Sequence, residues 1–102
     1  MTRETIELKR PELLREAAYV AGEWVTAATS IDVLNPATGG RLATVPRLGA
    51  SETRRAIEAA QAAMPAWAAK TAKERATVLR RWFDLMMANQ EDLARIMTAE
   101  QG

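Results

Sequence analysis

The four residues Thr71-Ala72-Lys73-Glu74 do most to constrain the fold, because they carry the spacing of a capping box. The Thr71 hydroxyl can accept from the Glu74 N–H while the Glu74 carboxylate reaches back to the Thr71 N–H, satisfying two donors that an opening helix leaves bare. The helix so begun sets Leu79, Trp82, Phe83 and Met86 at i, i+3, i+4 and i+7, with Arg75, Arg80, Arg81 and Asp84 over much of the remaining surface. Asn89 can end this helix and cap another, since Glu91 and Asp92 load the next first turn and Leu93, Ile96 and Met97 resume the stripe. Gly102 is either the C-cap of that last helix or simply where the sequence stops. Upstream, Ser51 is the expected N-cap of an earlier helix, Glu52 suits the positive end of its dipole, and Ile57, Ala60 and Met64 share a face. Pro65 is expected to stop that helix near Ala63 or Met64.

Ahead of the helices the pattern changes. Pro11 fits a first helical turn, and Leu13, Leu14, Ala17 and Ala18 supply a short stripe, which predicts a helix of about two turns. Residues 19–25 are β-prone around Ala21-Gly22-Glu23, and Gly22 can take the positive φ of a tight turn, so two very short strands should close on it. Residues 31–34 and 42–45 form a second strand pair across Asn35-Pro36-Ala37-Thr38-Gly39-Gly40, a loop whose Asn can bond its own backbone. Pro46 ends the second strand and Gly49 releases the chain. The expected fold is therefore α+β, with short antiparallel β-hairpins followed by three amphipathic helices. The first ten residues are expected as a flexible N-terminus, and residues 11–102 as one incomplete unit.

A chain of 102 residues has room for one small domain at most. Of its hydrophobic residues 21 are alanines, and only Tyr19 and Phe83 join the three tryptophans as aromatics, so its own core is thin. Cysteine and histidine are both absent, which removes disulfides, thiolate ligands, the commonest zinc sites and the Ser-His-Asp and Cys-His nucleophile arrangements. The first ten residues mix Arg3, Glu4, Glu7, Lys9 and Arg10 around isolated Ile6 and Leu8, unlike a signal peptide, and no 18-residue apolar run exists to span a bilayer. A cytoplasmic protein without a membrane partner is expected. A net charge of +1 argues against a nucleic-acid surface, and Arg54-Arg55 and Arg80-Arg81 sit among Glu52, Glu58 and Asp84 as solvated helix faces.

No phosphate loop is present, because Gly39-Gly40 lies between two strands rather than before a helix. Glu91 and Asp92 are accounted for by the helix dipole and point different ways round the axis, which argues against paired acid-base work. Trp67 and Trp82 are read as core packing residues. The areas do not balance, however. Three helices each present an apolar face, and small hairpins cover only part of that total, so the surface expects further chain or another subunit.

The run Asn35-Pro36-Ala37-Thr38-Gly39, followed by Val45-Pro46, Gly49-Ala50, Ala56-Ile57, Pro65-Ala66-Trp67 and Thr71-Ala72-Lys73-Glu74-Arg75-Ala76, resembles the N-terminal region of the aldehyde dehydrogenase superfamily. Within it, Leu79-Arg80-Arg81-Trp82-Phe83-Asp84-Leu85-Met86, Glu91-Asp92-Leu93-Ala94 and Glu100-Gln101-Gly102 are similar to the succinate-semialdehyde dehydrogenase branch. The resemblance runs from about residue 13 to residue 102. One departure is Ala21, where members often carry Asn, which makes the hairpin tip less favourable.

The resemblance implies a parent enzyme that oxidises an aldehyde to an acid. A cysteine thiolate would add to the carbonyl, hydride would pass to NAD or NADP, and a glutamate would activate water against the thioester. None of those residues maps onto this chain: the cysteine, the glutamate, the oxyanion-holding asparagine and the dinucleotide-binding strands lie downstream in the family. The implied role of residues 11–102 is the N-terminal part of the cofactor-binding domain in an aldehyde dehydrogenase-like α/β fold. Such a piece would be inactive and bind no cofactor by itself; its partners would be the rest of the polypeptide or homologous subunits, in a homo-oligomeric parent. Some members hold a cation near here through a backbone carbonyl and an acidic side chain, and the matching positions are Leu34 and Glu100. The alternative is a free-standing truncated relative acting as a helical binding or assembly module.

Overall fold

The computed structural model describes residues 3–102. A single 3-10 turn at Pro11–Leu13 leads to β1 (Ala18–Val20), β2 (Glu23–Val25), β3 (Ser30–Leu34), β4 (Arg41–Pro46), α1 (Ala50–Ala68), α2 (Ala72–Ala88) and α3 (Gln90–Gln101). Strands β1 and β2 form one antiparallel ribbon and β3 and β4 another. The radius of gyration is 16.8 Å, against about 13 Å for a closed domain of this length. The helices are spread open around the hairpins.

Both ribbons follow their turn chemistry. In the first, Ala18 pairs with Val25, Tyr19 with Trp24 and Val20 with Glu23. The two turn residues, Ala21 and Gly22, have φ of +52° and +79°, the two positive angles that a type I′ turn requires. In the second, Ser30 faces Pro46, Ile31 faces Val45, Asp32 faces Thr44 and Val33 faces Ala43, after which the register shifts so that Leu34 faces Arg41. Neighbours in a regular strand point to opposite faces. The bulge that skips Leu42 accompanies burial of both Leu42 and Ala43, the only buried apolar residues among those described.

Helix α2 opens as its sequence dictates. The Glu74 N–H donates to the Thr71 hydroxyl at 3.2 Å and the Thr71 N–H donates to the Glu74 carboxylate at 2.9 Å. Helix α1 differs from expectation at both ends. Its N-cap is Gly49 rather than Ser51, because the Glu52 carboxylate takes the Gly49 N–H at 3.0 Å and supplies the reciprocal half of a capping box. It also runs through Pro65 to Ala68. Proline's fixed φ is itself helical, and residues 60–74 are all exposed, so the carbonyl deprived of its donor faces water.

Two further expectations are corrected. The two-turn helix at Pro11 is one 3-10 turn, since Leu14 is already extended and Ala18 begins β1; so short a stripe does not repay helix nucleation. Asn89 ends α2 with its side chain, donating from Nδ2 to the Leu85 carbonyl at 2.8 Å, and makes no side-chain cap to α3.

The apolar stripes of α1 and α2 are bare. On α1 the half-buried side is Glu52, Ala56 and Ala59, whereas Ile57 and Met64 are 61% and 66% exposed. No residue of α2 is buried. Trp67 and Trp82, expected as core, are exposed, because nothing among the described residues covers their helices. No helix among the described residues is long and apolar enough to cross a membrane.

Candidate functional site

The most organised part of the molecule is the junction of residues 3–10, the β3–β4 loop and α3. Residues 3–10 form an arm in which Glu4, Ile6 and Leu8 are half-buried and Arg3, Thr5, Glu7 and Lys9 exposed, the alternation of an extended segment with one face covered. Of the ten residues expected as a flexible terminus, 1 and 2 lie outside the described residues, and the segment 3–10 has hydrogen-bond partners at each end. Arg3 bridges to Arg41 in parallel, and the Glu4 N–H donates to the Arg41 carbonyl at 2.7 Å. At the far end the Asp92 carboxylate accepts from the Lys9 N–H at 3.0 Å and the Arg10 N–H at 2.9 Å.

The loop is fixed from within and by the arm. The Asn35 side-chain oxygen accepts from the Ala37 N–H at 2.9 Å, and the Asn35 carbonyl accepts from the Gly39 N–H at 2.8 Å. The Glu4 carboxylate then accepts from Asn35 Nδ2 at 3.2 Å and from the Thr38 hydroxyl. A Cβ at Gly40 would meet the Glu4 side chain, which would have to shift to admit it.

Three carboxylates hold this junction, and two of them have lowered pKa values. Glu16 accepts from Arg3 Nη2 at 2.8 Å and from the Thr44 N–H and hydroxyl at 3.0 Å each. The Arg3 guanidinium first, then the two Thr44 donors, lower its pKa to about 2. Asp92 is almost wholly buried; the Lys9 N–H, and after it the Arg10 N–H, hold its pKa below the usual range against the opposing effect of burial. Asp92 thus does more than complement a helix dipole.

Between arm, loop and α3 lies a cavity of ≈ 460 Å³ lined by Glu4, Ile6, Asn35, Leu42, Arg95 and Thr98 among others. Its one guanidinium, Arg95, is already paired with Glu91 at 3.3 Å, and Glu91 and Glu4 both line the cavity. An anionic dinucleotide phosphate would meet these carboxylates, and no helix among the described residues presents its N-terminus behind a glycine-rich loop. The residues present therefore do not fit NAD or NADP. What they do is join three segments of chain.

The two positions singled out for a cation stand on elements that meet here. Leu34 ends β3 opposite Arg41, and Glu100 is an exposed residue in the last turn of α3. Gly102, with its N–H on the Thr98 carbonyl at 2.9 Å, lies so close to the loop that a Cβ would come within 2.9 Å of the Ala37 nitrogen. Among the described residues no three acidic side chains are grouped to hold a metal ion. Sequence reasoning missed Glu4, Glu16 and Asp92 as organisers of the junction; the alternation of Glu4, Ile6 and Leu8 was the one local sign of it.

Known proteins match this arrangement closely. The chain is 62% identical over 99 residues to glutarate-semialdehyde dehydrogenase of Pseudomonas aeruginosa, covering 95% of this chain and 20% of that protein. It is 57% identical to the NADP(+) succinate-semialdehyde dehydrogenase of Escherichia coli, with the same two shares. A crystal structure of succinate-semialdehyde dehydrogenase from Burkholderia pseudomallei superposes with a TM-score of 0.89 at 60% identity, over 93% of this chain and 20% of that one. The chain thus spans about a fifth of the length of the relatives it matches. Its two hairpins and three helices are part of the aldehyde dehydrogenase fold. Residues 24–102 match the aldehyde dehydrogenase family as a whole, and the chain belongs to that family.

Proposed function

We propose that this chain is the N-terminal fifth of an NAD(P)-dependent semialdehyde dehydrogenase, a cytoplasmic homo-oligomer that engages neither nucleic acid nor membrane. The observation that carries the reading is the 57–62% identity to enzymes named for succinate and glutarate semialdehyde. The net reaction is oxidation of succinate semialdehyde to the dicarboxylic acid, with water consumed and hydride passed to NAD(P)+. In the parent, a downstream cysteine thiolate attacks the carbonyl and a downstream glutamate activates the water. NAD(P) supplies the hydride acceptor when bound, and this chain's residues take no part in holding it.

The contribution of this chain is architectural. Its arm, loop and α3 form a braced corner, and its helices offer apolar faces to the rest of the protein. In the assembled enzyme the Leu34 carbonyl and Glu100 carboxylate would be two of the oxygens offered to a cation, and the other ligands would have to come from downstream, since calcium-like ions take six or more. A second reading, a free-standing assembly module, has in its favour the bare faces of α1 and α2.

The test is an assay of NAD(P) reduction with succinate semialdehyde and with its one-carbon-longer homologue. A full-length enzyme carrying these residues should turn over the former, and the 102-residue chain alone should turn over neither. Activity in the purified chain, or inertness of the full-length protein toward both, would overturn the proposal.

A further inference from the structure

We infer that Glu16 is an edge guard: its carboxylate, steered by Arg3, closes the outer edge of β4 against pairing with β4 of a second copy of this chain.

Among the described strands β4 is the longest, at six residues, and its stretch Leu42-Ala43-Thr44-Val45 carries no charge. Its one strand partner among the described residues is β3, so its other side is a sheet edge. Unpaired N–H and C=O groups on such an edge invite another strand. The other strands carry their own protection. Strand β3 has the charged Asp32 at its centre, and β1 and β2 are only three residues long; charge and shortness both deter edge pairing. Strand β4 has neither.

The hydrogen bonds show what closes it instead. Thr44 stands opposite Asp32, yet its N–H donates to Glu16 at 3.0 Å rather than into β3, so this N–H faces outward. The same Glu16 oxygen accepts from the Thr44 hydroxyl at 3.0 Å, and the other accepts from Arg3 Nη2 at 2.8 Å. Arg3 thus holds the carboxylate in line with the edge. To one side the Arg41 carbonyl is taken by the Glu4 N–H at 2.7 Å, and to the other Pro46 has no N–H to offer. Thr44 is therefore the point that a side chain alone keeps closed.

The strand that the guard excludes is a second β4. An edge residue turned away from its neighbour presents both its N–H and its carbonyl. Two copies meeting antiparallel about a two-fold axis near Thr44 would each offer that pair to the other, together with the same uncharged side chains. Such a contact is self-complementary, so it needs no second matching surface.

Sedimentation velocity and amide I infrared spectra of the 102-residue chain test this. Glu16→Ala should tighten self-association about tenfold and bring up the band of intermolecular β-sheet. Adding Thr44→Pro, which removes the outward donor but no bond to β3, should return both readings to the parental level. Arg3→Gln leaves Glu16 in place but unsteered, and should give a smaller rise that Thr44→Pro also abolishes. It carries the test if Glu16→Ala loses its helical circular dichroism. Association that Thr44→Pro does not reverse, or that brings no intermolecular β-sheet band, would place the contact elsewhere and overturn the inference. Unchanged association in both single variants would overturn it equally.

Discussion

The Asp92 carboxylate accepts the backbone N–H of Lys9 from 83 residues away, and that of Arg10 beside it, so the first turn of α3 fastens the N-terminal arm. The carboxylate has an acceptor oxygen for each donor, at 3.0 and 2.9 Å. Asp92→Asn keeps the size but turns an NH2 toward one of the two N–H groups, leaving a donor facing a donor. Hydrogen exchange at the amides of residues 6–10 should quicken several-fold while those of α2 keep their protection. If α2 and α3 lose protection together with the arm, Asp92 is a general stability residue and not a fastener.

Acid should release the same arm. Glu16 has its pKa lowered from 4.5 to about 2 and Asp92 is lowered in the same direction. A carboxylate whose folded pKa is depressed stabilises the fold fully above its unfolded value, and that contribution disappears as pH falls through the folded value. The arm should therefore stay fastened from neutrality down to about pH 4.5 and loosen between there and about pH 2. A carboxyl-resonance titration of Glu16 by NMR, with arm exchange measured alongside, checks this. In Glu16→Gln the loosening should lose its Glu16 component and keep that of Asp92; a Glu16 midpoint near 4.5 would refute the assignment.

Ala21 sits at φ +52° in the β1–β2 turn, where an L residue without a local side-chain bond is disfavoured by about 1–2 kcal/mol. Ala21→Asn gives the Asn-Gly pair that type I′ turns favour, and should stabilise the hairpin by up to about 1 kcal/mol. Ala21→Val should act in the opposite sense, since a β-branched residue tolerates positive φ worst. Exchange protection of the Tyr19–Trp24 region reports both, and the same sign for the two substitutions would show that the turn has another geometry.

How much of this was legible depends on the sequence distance over which each feature is held. Thr71 and Glu74 are three residues apart, and their capping box is found as read. The Asn35–Gly40 loop carries its own turn chemistry and was equally plain. The fastening of the arm was not, because Asp92 acts across 82 and 83 residues, Glu4 across 31 and 34, and Glu16 across 28; no window of local periodicity reaches that far. Trp82 shows the opposite case: its place on an apolar stripe is plain in the sequence, but none of the described residues buries it. Of the candidate site, Leu34 and Glu100 came from resemblance, and the carboxylates that organise the junction came only from the fold.

Pro65 was the clearest local misreading, and it is also open to a direct test. Proline lacks the N–H that would reach the Gln61 carbonyl, yet α1 continues for three more residues to Ala68. The Ala69 N–H still bonds the Pro65 carbonyl at 3.0 Å, so the helix resumes its ladder one turn on. Pro65→Ala supplies the missing donor and removes the ring's clash with the preceding turn, a change worth roughly 3 kcal/mol in a helix interior. Exchange protection should rise for the α1 amides on either side of position 65 and leave α2 untouched, because the two helices are capped separately at Gly49 and Thr71. If Pro65→Ala brings no gain in α1, the proline costs that helix nothing where it stands, and the helix must already be broken in solution near Met64, as the sequence alone had suggested.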